Sequence, residues 1–337
     1  MIRVSLVLLI TAMVFAAPSP VNGQDGVVSL VSSVEFPGKR VTDVTSYVDV
    51  LTGIEYAIVG HSGSGSTGIA VVDLSDPALP QVVSTLDGPP GFDVKVFDRY
   101  AYTVTGGGGT GAIIDISNPF APVRVAGFTS THNIFIDHKG YMYSSSPGLE
   151  IYDLNTNPLA PDSVWYDGRG GGHDASVIGD TLYDFHGSSG TFIYDVTDRS
   201  NPVEIGHITA PFVTYHHSGW VTDDRRYLFI NDELSTHPAA DVTIWDISDT
   251  SDPEFVTSIS DSLATVHNLH IVGDHAFFSY YAAGFKVFDV SDPGNPVLVG
   301  SYDTDPMAKP GFSGAFGVDA FLPSGHVLVS GTSGIDP

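Results

Sequence analysis

The chain has 337 residues, 42% of them hydrophobic, with 39 acidic and 13 basic side chains and a formal net charge of −26. Cysteine is absent, which excludes disulfides, thiolate metal sites and cysteine nucleophiles together. The charge repels nucleic-acid phosphates and anionic lipid, so neither is an expected partner, and the acidic surface reads as solvation.

In chain order, the first element is a leader. Arg3 precedes an apolar stretch from Val4 to Ala17, and Val21-Asn22-Gly23 offers a cleavage site. Residues 1–23 therefore read as a signal peptide, too short for a comfortable membrane span, and place the rest, 25–337, as one domain outside the cell or on its surface. No other segment reaches the length of a transmembrane helix. An isolated strand follows at Val27 to Val34.

From there the sequence repeats. Val72-Asp73-Leu74-Ser75-Asp76-Pro77 returns as Ile114-Asp115-Ile116-Ser117-Asn118-Pro119 and, with variations, at Tyr152, Tyr194, Trp245 and Phe288. Each copy is a β-branched or aromatic run, then Asp, Ser or Asn capping a turn, then a proline that stops the ladder because it lacks an N–H. Two further strands precede each copy, such as Asn268 to Val272 and His275 to Tyr280 around the Gly273-Asp274 turn, and one follows it. Candidate inner strands near Asp43, Asp93, Asn133, Asp174, Ser218, Asn268 and Gly317 recur at intervals of roughly 40 to 50 residues. Four-stranded antiparallel units at that spacing predict an all-β propeller, seven-bladed with six blades as the alternative. The last unit ends after two strands, so the N-terminal strand is expected to complete it and close the ring.

These residues resemble the LVIVD repeat: a glycine, an apolar run, Asp, Ile-Ser, Asp-Pro and Pro. Thr131 to Asp137, Gly172 to Ala175, His217 to Leu228, Asn231 to Leu234, His267-Asn268-Leu269 and Pro323-Ser324-Gly325 are similar to the choice-of-anchor B family of propeller-like proteins. The resemblance covers residue 25 to the end. It implies secretion and usually a C-terminal surface anchor; no anchor is read before Pro337, so a truncated last blade or a released form is expected. It brings no enzymatic activity and no catalytic residues.

Aligned inner strands give two columns. The first reads Thr42, Phe92, His132, His173, His217, His267, Phe316; the second reads Asp43, Asp93, Asn133, Asp174, Ser218, Asn268, Gly317. Four successive blades thus carry histidine at one position near the channel. His132, His173, His217 and His267 could hold a divalent transition metal through neutral imidazole, with Asp174, His186, Asp232 and Glu233 as supporting groups and His61 as a further candidate. The same repetition also arises if each histidine only ties one blade to the next. Of the adjacent His216 and His217, only one ring can join the cluster.

Other signals carry less. Glycine runs at Gly106 to Gly109 and Gly170 to Gly172 lack a following helix and Lys-Ser/Thr pair, so they read as loops. Gly63-Ser64-Gly65-Ser66 also reads as a loop, and the Asp-x-Ser-Asp-Pro turns lack calcium-loop spacing. Trp165, Trp220 and Trp245 read first as packing residues, with sugar stacking as a second role for Trp220. The two function classes are therefore a monomeric binding module for an extracellular protein, glycan or small molecule, with His61 to Gly68, Ser235 to Ala240 and Asp303 to Phe312 as its rim, or a metalloprotein with a histidine-lined channel.

Overall fold

The computed structural model describes residues 4–10, 28–62, 66–209, 212–235, 238–306 and 311–332, and these contain strands, turns and loops with no helix. Six sheets each consist of four consecutive antiparallel strands. Their inner strands are Val41–Val48, Asp93–Phe97, Asn133–Ile136, Asp174–Ile178, His216–Val221 and Leu269–Val272. These are six complete blades, numbered one to six here in chain order.

A seventh four-stranded sheet stands between blades six and one and is assembled from both ends of the chain. Ala315–Asp319 and His326–Gly331 form an antiparallel pair. Val4–Ile10 then pairs parallel to His326–Gly331 on one side and parallel to Val28–Glu35 on the other. The N-terminal strand thus sits in the closing sheet as its outermost member, and the segment read as a leader lies between it and the C-terminal hairpin. The rest of residues 1–23 lies outside the described residues, as do Gly63, Ser64 and Gly65, part of the Ser235 to Ala240 and Asp303 to Phe312 loops, and the chain end after Thr332.

Burial explains the layering. Middle strands are covered on both faces by neighbouring blades and read as near-continuous apolar runs; all five residues of Tyr100–Val104 are buried. Outer strands such as Val123–Ala126 are mostly exposed. The core is divided among the blade interfaces. One cluster joins Ile58 and Val71 of blade one to Val94 and Ile114 of blade two, and another joins Leu322 and Leu328 of the closing sheet to Val44 and Val59 of blade one. The ring is therefore shut by hydrophobic packing.

The repeated turns do what their residues suggest. The backbone N–H of Ser75, Ser117, Asn155, Thr197, Ser248 and Ser291 donates to the carboxylate two residues earlier, at 2.7 to 2.9 Å. The glycine that opens the third strand is required by close approach. A Cβ on Gly68 would run into the Leu86 carbonyl, and one on Gly190 into the Ile208 carbonyl.

Candidate site in the central channel

The starts of the inner strands converge on the axis. Around it, six rings from the first column pack neighbour to neighbour, mostly tilted against one another. Centroids lie 5.2 Å apart for Phe92–His132, 4.5 Å for His132–His173, 4.2 Å for His173–His217, 4.5 Å for His217–His267 and 3.9 Å for His267–Phe316. Phe92 and Phe316 approach to 6.0 Å and close the circle. The space left inside is about 20 Å³, room for one water-sized species. The structure therefore brings all four predicted histidines into one layer. Of the adjacent pair, His217 joins the ring; His216 turns away, at a register shift of its strand, to the Thr191 hydroxyl at 2.7 Å.

The four histidines divide into two kinds. His132 Nδ1 donates to the Gly106 carbonyl at 2.9 Å, and His267 Nδ1 donates to the Phe316 carbonyl at 2.8 Å. A carbonyl can only accept, so both rings carry their proton on Nδ1 and tie one blade to the next. His173 and His217 differ: Nδ1 of each is buried with no partner among the described residues. One ligand atom from each lies within 4.8 Å of the other and of a Glu233 carboxylate oxygen. Glu233 Oε2 is 3.7 Å from His217 Nε2, and Glu233 Oε1 accepts from the Tyr281 hydroxyl. Burial holds His173 down to about 3, holds His217 well below its ordinary range, and brings His267 to about 4; neighbouring histidines add to the first two. All three are neutral at pH 7, the form that can ligate a metal. Burial also raises the Glu233 carboxyl, against the Tyr281 hydrogen bond.

The other supporting candidates are dispersed. Asp232 accepts the N–H groups of Thr214 and Tyr215, a loop-fixing role. His186 pairs with Asp184 at 3.1 Å and donates to the Gly170 carbonyl. His61 contacts Lys39 at 3.3 Å and the Ser66 carbonyl.

The second column forms the next layer and mostly joins blades. Asp93 Oδ2 accepts the Ile134 N–H at 2.8 Å, and the Ser218 hydroxyl donates to the His267 carbonyl at 2.9 Å. Lys95 Nζ bridges Asp43, at 2.6 Å, and Asp93. Burial alone would raise Asp43, but the Lys95 ammonium outweighs it and leaves that carboxyl lowered; burial wins at Asp93, which is raised. Asp174 is pushed up to about 7 by burial.

Beyond this layer the channel widens into a half-open cavity of about 350 Å³. Its walls include Thr45, Lys95, Phe135, Ser176, Trp220, His270 and Asp319, one residue per sheet, each two positions after the second column. The sequence reading stopped at two columns and missed this one. Strand alternation was the available signal, since residues i and i+2 share a face.

The comparisons with known proteins agree with the fold. The LVIVD repeat family matches residues 92–129 and 265–304. Two blades carry LVIVD repeats. Each match covers one full blade, from Phe92 through the outer strand of blade two and from Thr265 through that of blade six. A search of the curated proteins finds no match. Among solved structures, the chain is similar to the periplasmic gluconolactonase PpgL of Pseudomonas aeruginosa, with a TM-score of 0.66 and 12% identity, over 81% of this chain and 88% of that one. A candidate 6-phosphogluconolactonase of Bacteroides uniformis matches with a TM-score of 0.60 and 12% identity, over 76% and 83%. A functionally unknown protein of Desulfotomaculum acetoxidans matches with 0.58 and 15%, over 82% and 89%. At such identities the likeness is one of fold. Among the described residues, no helix is long and apolar enough to cross a membrane.

Proposed function

We propose that the chain is a secreted or cell-surface binding module of the choice-of-anchor B kind, whose ligand enters the wide end of the channel. The observation that carries this reading is the half-open 350 Å³ cavity on the axis of a rigid ring, lined by both aromatic and polar side chains. Its volume lies within the roughly 300–1,000 Å³ of small-molecule sites. The leader-like N-terminus and the resemblance across the repeats support placement outside the cell. The lactonase names belong to the fold relatives and carry no activity to this chain.

A screen of chemically diverse small molecules by thermal denaturation tests it. A ligand that raises the wild-type melting temperature and loses its effect in Trp220→Ala and in the cavity-filling Thr45→Phe supports the proposal. Ligands that stabilise wild type and both variants equally, or none at all, overturn it.

A second reading, a metalloprotein, is favoured by the convergence of His173, His217 and Glu233. In a tetrahedral site with bonds near 2.0–2.1 Å, ligand atoms stand about 3.3 Å apart, so a small contraction of this group would enclose an ion. His132 and His267, engaged by backbone carbonyls through Nδ1, would border that ion. Elemental analysis checks this reading: near-stoichiometric metal, lost in His173→Ala and in Glu233→Gln, supports it, and metal-free folded protein sinks it.

A further inference from the structure

The wide cavity is lined by two unlike sets of groups, and their chemistry narrows what it takes. One set is a continuous aromatic wall. Trp220 lies 4.8 Å from His270, 5.4 Å from Phe321 and 6.1 Å from Phe135 by ring centroid, and His270 lies 4.5 Å from Phe321. Phe321 is 45% exposed, so the wall reaches the mouth. The second set consists of polar atoms interleaved with these rings. Ser176 Oγ, Asn268 Oδ1 and His270 Nδ1 are buried and unpartnered among the described residues, and Ser176 is only 3% exposed. Buried polar atoms without partners are costly, and several lining one cavity mark positions where a ligand supplies the missing bonds.

The charged groups in the lining are already engaged. Asp43 shares Lys95 with Asp93, Asp174 accepts the Ala175 N–H at 2.7 Å, and Asp319 accepts the Ser46 N–H and hydroxyl at 2.8 and 3.0 Å and the Phe321 N–H at 3.0 Å. What remains are hydrogen-bonding groups of both senses beside the aromatic rings. A matching ligand has one C–H face for the rings and a rim of hydroxyls that both donate and accept. Excess carboxylate around the cavity and the acidic chain as a whole disfavour anions, while the engagement of Asp43 by Lys95 and of Asp319 by backbone N–H groups leaves little carboxylate to pair with an organic cation.

We infer that this cavity is a binding site for an uncharged pyranose, stacked on Trp220 with its hydroxyls bonded to Ser176, Asn268 and His270. The inference rests on the binding-module reading and gives its ligand class.

The test is calorimetry and indole fluorescence on the full chain. The probes are glucose, galactose, mannose, xylose and N-acetylglucosamine as free sugars and methyl glycosides, with glucuronate and glucosamine as charged comparators. The expected result is saturable binding of at least one neutral sugar, with charged comparators at least about tenfold weaker. Trp220→Ala should weaken binding by at least roughly tenfold and Trp220→Phe by no more than about threefold. Should Trp220→Ala fail to fold, Asn268→Ala provides the same reading. Absence of any neutral-sugar binding up to about 50 mM overturns the inference, as does tighter binding of a charged comparator, or sugar binding that survives both Trp220→Phe and Asn268→Ala unchanged while Trp220→Ala also has no effect. If an amine or another ligand class binds instead and is lost in Trp220→Ala, the sugar assignment fails and the module reading stands. If no ligand of any class depends on the cavity, both fail.

Discussion

The two ends of the channel are lined by the same seven inner segments, yet one is plugged and the other open. At the histidine end, one position per sheet carries mostly flat rings of similar size, and these tile into a closed layer around about 20 Å³. Three residues further along the same strands, the column mixes Thr45 and Ser176 with Lys95, Phe135 and Trp220, and about 350 Å³ remains. Repetition thus supplies a uniform layer, and departure from repetition creates the cavity. Between them sits the carboxylate layer, whose one cation holds two acids.

Breaking that intermediate layer should give the largest effect. Lys95→Ala leaves Asp43 and Asp93 buried without a counter-charge and should cost about 3–5 kcal/mol in denaturant unfolding at pH 7. Adding Asp93→Asn should recover part of the loss. A cost under about 1 kcal/mol would show that the layer does not separate the two ends as described.

The plugged end should reveal itself through pH. The folded-state values of His173 and His267, about 3 and about 4, lie below the ordinary value of 6.5. The unfolded chain therefore takes protons first as pH falls. Stability from these neutral rings is complete above pH 6.5 and declines toward pH 4, by up to about 1.4 kcal/mol per pH unit for each histidine. Raised carboxyls such as Glu233 and Asp174 act oppositely, because the folded state holds their protons to higher pH and stability falls as pH rises through that window. The comparison of wild type with His173→Asn isolates the histidine share: the variant's stability curve between pH 6.5 and 4 should be flatter. Parallel curves would contradict the neutral buried ring.

A smaller effect sharpens the contrast by leaving the channel alone. Asp115→Ala and Asp289→Ala each remove a turn carboxylate that accepts a backbone N–H, and each should cost about 1 kcal/mol. Equal costs in blades two and six would place the asymmetry in the channel columns and not in the blades. A difference above about 1 kcal/mol between them would argue otherwise.

Much of this was legible in the residues. The Asp-Ser-Pro punctuation gave strands and turns because each residue acts locally, through a side-chain bond or a missing N–H. The histidine column was legible because equivalent positions must meet at the axis of a ring. The third channel column was not found, since which face of each inner strand turns inward was left open, and without that choice Trp220 reads first as a packing residue. The division between His132 and His267 on one hand and His173 and His217 on the other depends on carbonyls of neighbouring blades, which no single repeat encodes. Glu233 was among the supporting groups, but its partnership with two of the four histidines needed coordinates. Val4–Ile10 suits two roles equally, because an uncharged run of Val, Leu and Ile with a single serine is both a leader's apolar core and a strand.

The most direct test of the open channel as a ligand site is an experimental structure of crystals soaked with a neutral pyranose. Our account predicts a sugar ring lying on Trp220, with hydroxyls within hydrogen-bond reach of Asn268 and Ser176. A cavity closed by rearranged side chains, or sugar bound only on the outer surface of the blades, would contradict it.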